Sequence, residues 1–151
     1  MRGVIPAFAG MTLALSAGAA SVKQRLLPEA DRFAGFSLFV SRSSPFPEKS
    51  LACAASIGAR MRAGGFVPSR YHADPVDGES RAFADEANGV HYYDNLAVGR
   101  SAKMASVLVE AGVIVNREEE QRMRDPAVRG RVAAAIAGGV RECLTQGKAL
   151  Q

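Results

Sequence analysis

The sequence predicts an α/β fold, in which strands alternate with helices and pack against them in layers. Three stretches carry that prediction. Gly35-Phe36-Ser37-Leu38-Phe39-Val40-Ser41 is aromatic and β-branched and runs into Ser-Ser-Pro turn chemistry, as a strand does. Pro47 to Ala63 places Leu51, Ala54, Ala55, Gly58 and Met61, and in part Ile57, at helical spacing, with Gly64-Gly65 as the stop. Ser106-Val107-Leu108-Val109-Glu110 reads as a short buried strand, after which the apolar run resumes from Ala111 to Val115.

Taken in order, residues 1–20 carry an early Arg2, an apolar middle and a small-residue end, the outline of a secretory signal peptide. Pro6 and Gly10 interrupt the apolar stretch, which is too short to span a membrane. Val4 to Thr12 equally looks like translated intergenic repeat, as when a reading frame opens in the wrong place. Residues 21–33 form a polar linker, 34–146 the domain, and 147–151 a tail. Beyond the first helix, Phe66-Val67-Pro68 is a short extended segment leading to Tyr71-His72. Ala73 to Asn95 is rich in acids, Gly and Pro and reads as loop, with one helical turn around Arg81 to Glu86. A long loop inside a compact domain is often functional. Leu96 to Arg100 is a turn or short strand edge, and Ser101 to Met104 leads into the central strand.

Asn116 then caps a helix whose first turn carries Glu118, Glu119 and Glu120, favourable at the positive end of the helix dipole. Arg124-Asp125-Pro126 ends it and opens the final helix, with Asp125 as N-cap and Pro126 at the first helical position. Val128, Val132, Ile136, Val140 and Leu144 are its expected core stripe, up to about Thr145.

At 151 residues the chain is one domain's worth, long enough to bury a core. Its net charge of +4 comes from basic residues scattered among acids. That distribution lacks the clustered basic stripe of a nucleic-acid binder, while a weak attraction to an anionic polymer such as a cell wall is allowed. Cys53 and Cys143 fall on predicted apolar helix faces and read as buried free thiols in preference to a disulfide. Neither has metal-ligand spacing.

Glu110 is the first candidate for chemistry. A carboxylate interrupting an apolar run is costly to bury unless a metal, a cation or a hydrogen-bond network receives it. The plainer reading is a Glu at a strand end, exposed or salt-bridged. His72 and His91 are nineteen residues apart in sequence with no helical pairing, so they do not form a preformed metal site. His72 reads as a loop histidine beside acidic residues, and His91 as a strand or edge residue next to Tyr92 and Tyr93. Asp74, Asp77, Glu79, Asp85 and Glu86 lack an EF-hand pattern and read as a solvated acidic loop.

The string VLVEAGVIVNREEEQRMRDPAVRGRVAAAIAGGV resembles the C-terminal part of the zinc-dependent N-acetylmuramoyl-L-alanine amidases. These hydrolases cut the bond between glycan and stem peptide in bacterial peptidoglycan. The shared pattern is a strand ending in Leu-Val-Glu, a Gly-hydrophobic-hydrophobic-x-Asn turn, an acidic helix start and an Asp-Pro-led terminal helix. GFSLFVS, SLACAASIGARMRAGGFVPS and YYDNLAVGRSAKMASVLVE extend the likeness over residues 34–145.

The resemblance implies a mixed sheet flanked by helices, here missing the first strands of the amidase domain. It implies zinc held by two His and one Glu, with Glu110 as the catalytic carboxylate that acts on the water. It also implies a peptidoglycan substrate, Arg100 as a substrate contact, and a periplasmic or cell-envelope location. The family's ligand-bearing His-Gly, helical Glu and Ser-x-His segments have no counterpart in these residues, so an N-terminally truncated domain with no metal ligands of its own is expected. Family members usually carry Pro before the Leu-Val-Glu strand, where this chain has Ala105-Ser106.

Overall fold

The computed structural model describes residues 30–148. The leader at 1–20, most of the linker at 21–33, and most of the tail lie outside the described residues. Strand β1 (Ser37–Val40) is followed by helix α1 (Pro47–Ala63), then by a 3-10 turn at Tyr71–Ala73. Strands β2 (Phe83–Asp85) and β3 (Val90–Tyr92) follow, then the short helix α2 (Ala97–Ser101). Strand β4 (Leu108–Glu110), helix α3 (Arg117–Arg124) and helix α4 (Pro126–Lys148) complete the order.

The four strands form one mixed sheet in the order β2-β3-β1-β4, so the α/β class and the mixed sheet stand. β1 runs parallel to β3, pairing Phe39 with His91, and antiparallel to β4, pairing Ser37 with Glu110. Side chains alternate between the faces of a strand, so this register sorts them into two sets. Phe36, Leu38, Val40, Val90 and Val109 face the helices, where Ala54, Ile57 and Met61 of α1 and Val128, Val132 and Ala135 of α4 close the core. Ser37, Phe39, His91 and Glu110 fall on the opposite face.

The caps read from the sequence hold. Asn116 Oδ1 accepts hydrogen bonds from Glu118 N and Glu119 N at 3.0 and 3.1 Å. Asp125 Oδ1 accepts from Ala127 N at 2.8 Å. Other expectations are overturned. The stretch 73–95 holds a β2–β3 hairpin in place of a loop with a helical turn. Asp85 accepts hydrogen bonds from Asn88 N and Nδ2, and Gly89 turns at φ 67°, so Asn88-Gly89 makes the reversal. Ala97–Ser101 is helical where a turn or strand edge was expected. β4 is an edge strand, neither central nor covered on both faces: Leu108 is 38% exposed, and the run after Glu110 is a turn that leaves Ile114 exposed.

The stripe expected on α4 is only half buried. Val128 and Val132 are in the core, yet Val140 and Leu144 are exposed. A four-residue step advances about 40° beyond one full turn, so residues spaced by four drift to about 160° over the stripe. Ala135 and Gly139 take over the inner face. Gly139 is needed there, because a Cβ would collide with the backbone of Ile57.

The same close crossing corrects the reading of the cysteines. Cys53 and Cys143 are not free thiols but a disulfide between α1 and α4, with Cα atoms 4.9 Å apart. Arg60 Nε, about two turns further along α1, donates to Glu142 Oε1 at 2.9 Å across the same seam.

Candidate functional site

The sheet face away from the helices is built from aromatic and titratable side chains. Phe39 sits at its centre, with ring centroids 4.9 Å from His72, 5.6 Å from His91 and 6.0 Å from Tyr93. The 3-10 turn lies over this face and brings Tyr71 and His72 with it. Tyr71 packs 4.1 Å from the His72 ring and, on its other side, edge-on to Phe33 at 5.0 Å. Phe83 lies 4.4 Å from His91. Aromatic pairs at these distances fix ring orientation as well as burying area.

Within that frame the chain brings His72 to Glu110. His72 Nε2 lies 3.3 Å from Glu110 Oε2. The contact has the separation of an ion pair but not the alignment of a hydrogen bond, and His72 Nε2 is buried with no hydrogen-bond partner. His72 is thus not merely a loop histidine among acids, as its sequence neighbours suggest. Arg81 fixes the neighbouring histidine: its N–H donates to the His72 carbonyl at 2.6 Å, and its carbonyl lies 3.3 Å from His91 Nδ1. The buried Nε2 of His91 has no hydrogen-bond partner. His91 is a strand residue, as read, and burial lowers its pKa from the ordinary value, so it stays neutral. Tyr71 is pushed up to about 12, first by burial and then by the negative charges of Glu110 and Glu119.

Two residues shape the site without having been singled out for it. Glu119 was legible only as one of three acids at a helix start. Its Oε1 accepts from Gly35 N at 2.8 Å and its Oε2 from Val113 N at 2.7 Å. It thereby ties the turn that follows Glu110 to the chain entering β1. The spacing Asn116-x-x-Glu119, a capping-box pattern, was the available signal. Ser37 Oγ, opposite Glu110 in the register, is also buried without a partner.

Arg100 lies on α2, whose Gly99 packs against Ser41. Ser41 is beyond the far end of β1 from Ser37, about 13 Å along the strand. The structure records no contact between Arg100 and Glu110. A cavity of about 30 Å³ lined by Gly35, Phe66, Glu119 and Met123 contains neither His72 nor Glu110.

Among the described residues no three His, Cys, Asp or Glu side chains converge as a metal site. What this face offers a metal is two donors, the unpartnered Nε2 of His72 and the carboxylate of Glu110. Zinc accepts both donor types. Among the described residues no helix is long and apolar enough to cross a membrane.

The fold of this sheet and its helices is shared with solved structures. The N-acetylmuramyl-L-alanine amidase Ami1 from Mycobacterium smegmatis aligns with a TM-score of 0.62 at 23% identity, over 75% of this chain and 48% of that one. The apo form of Ami1 from Mycobacterium abscessus gives 0.59 at 24% identity, over 74% and 48%. The CwlD amidase from Clostridioides difficile, solved in complex with the GerS lipoprotein, gives 0.54 at 17%, over 76% and 48%. The chain therefore spans about half the length of each. No curated protein sequence matches it. The model of the N-acetylmuramoyl-L-alanine amidase family matches residues 27–142, and the chain belongs to that family.

Proposed function

We propose that this chain supplies the Glu110-bearing part of a peptidoglycan amidase site, directed at the amide between glycan and stem peptide. The observation that carries this reading is the position of Glu110. It ends an edge strand, its side chain is 39% exposed, and it shares a face with aromatic and imidazole groups. A carboxylate so placed reaches solvent and a bound substrate together, as a general base must. Glu110 takes the proton of the attacking water. Glu119 holds the turn behind it, Phe39 and Tyr71 wall the site, and Arg100 contacts a more distant part of the substrate. Zinc, when bound in a site of this family, polarises the scissile carbonyl and lowers the pKa of a water. Action on peptidoglycan places the protein outside the cytoplasm, in the periplasm or cell envelope.

The 151 residues alone are proposed to be inactive, because a carboxylate without three further metal donors does not generate the nucleophile at neutral pH. The test is release of stem peptide from purified peptidoglycan by the isolated chain, with and without added zinc. No release is expected. Cleavage that depends on metal and disappears in Glu110→Gln refutes the inactivity while supporting the amidase role. A second reading, a non-catalytic peptidoglycan-binding module, is favoured by the lack of three converging ligands among the described residues. It requires affinity for muramyl peptide that persists in Glu110→Ala and in chelator.

A further inference from the structure

We propose that the open edge of β4 is an interface between two copies of this chain, paired antiparallel about Val109 so that one sheet continues into the other.

The register of the sheet decides which backbone groups are left over. Leu38 N donates to Gly89 O at 2.9 Å and Tyr93 N to Val40 O at 2.8 Å, so the even-numbered residues of β1 bond toward β3. Ser37 and Phe39 then bond toward β4, and their partners Glu110 and Leu108 bond back. That turns the N–H and C=O of Val109 away from β1, and the same alternation turns out those of Val107 and Ala111. Among the described residues no backbone group pairs with them. Unpaired groups along a sheet edge are a template for another strand.

The two edges of the sheet differ in how they are guarded. β2 has a register shift between Phe83 and Asp85, ends in a carboxylate and is followed by Glu86. Irregularity and charge of that kind discourage pairing. Residues 107–111 contain neither Pro nor Lys, and the β1–β4 register runs without a shift. The segment around β4 is also apolar at its surface: Met104 is 72% exposed, Ile114 65%, and Leu108 and Val115 38% each. Apolar side chains gathered along an unpaired edge mark a surface for another polypeptide.

A second copy suits this edge because the edge is complementary to itself. Antiparallel pairing matches outward-facing residues. Centred on Val109, it sets that residue against its own counterpart, Val107 against the partner's Ala111, and Leu108 against the partner's Glu110. A shift of two residues in one direction opposes the two Glu110 carboxylates, which is destabilising, and in the other matches fewer outward-facing groups. Pairing of this kind keeps the Glu110 faces of both copies on one side of the joined sheet. Leu108 lies on that face, so each copy places an apolar side chain beside the other's carboxylate.

The test is sedimentation velocity of the 151-residue chain over a range of concentrations, with circular dichroism verifying that every variant is folded. A reversible dimer is expected. Leu108→Glu sets carboxylates side by side at both ends of the pairing and should weaken the dimer roughly tenfold or more. Leu108→Lys is as polar but meets the partner's Glu110 with the opposite charge, and should retain the dimer. Leu144→Lys, at an exposed position on α4, should leave association unchanged. A folded parent chain that stays monomeric at every concentration overturns the proposal. So does a dimer that survives Leu108→Glu, one that Leu108→Lys abolishes as well, or one that Leu144→Lys disrupts.

Discussion

The two faces of the sheet are made by the same strands and solve opposite problems. The helix-covered face is apolar and closed: Leu38, Ala54, Met61 and Val90 are wholly buried, and a disulfide pins the two helices over them. The other face buries Ser37, His72 and His91 atoms that no protein group satisfies. Stability is concentrated in the first and unspent hydrogen-bonding capacity in the second. An arrangement that tolerates unpartnered polar atoms beside a carboxylate is what separates a site from a core.

That contrast can be attacked from both sides. The largest effect should come from the helix face. Replacing Cys53 and Cys143 together by Ser reopens a loop of sequence separation 90, worth about 4–5 kcal/mol in the chain-entropy account. Urea unfolding with and without reductant measures it, and a loss below about 1 kcal/mol would mean the helices hold without their staple. Next is Leu38→Ala, fully buried beneath the helices, which should lose about 3 kcal/mol by the same measurement.

Glu119→Ala sits at the join of the two faces. It leaves Gly35 N and Val113 N without their acceptor and should lose about 2 kcal/mol. If the turn after Glu110 depends on it, hydrogen exchange at Val113 should quicken more than at Leu38.

The smallest effect belongs to the site face and is a matter of pH. His91 has a lowered pKa in the folded state, so the unfolded chain binds its proton first as pH falls. Its contribution is complete above the unfolded value of about 6.5 and is lost below it, at no more than about 1.4 kcal/mol per pH unit. Thermal unfolding between pH 7 and pH 5 should show this loss, and His91→Gln should flatten it.

What the sequence made legible divides along the line between local and distant interactions. α1, β1 and the Asn116 and Asp125 caps were readable because each rests on neighbours within a few positions. The hairpin was missed although Asn88-Gly89 is a turn signal, because its strands are three residues each and lie among acids. The stripe on α4 failed at Val140 because a spacing of four is not quite a helical turn. The meeting of His72 with Glu110, and of Cys53 with Cys143, depends on where the sheet and helices carry those residues. No local pattern encodes either. Glu110 was found from its oddity in an apolar run, while its histidine partner was visible only as one loop residue among several.

The disulfide also bears on how the molecule comes to be made. The chain contains two cysteines, and the second lies in the closing turns of its last helix. The two are 90 residues apart in sequence, so during synthesis Cys53 emerges well before its partner and stays an open thiol until Cys143 follows. Over that interval, under oxidising conditions, a second chain can reach Cys53 first, and the product is a covalent dimer in place of the staple between the helices.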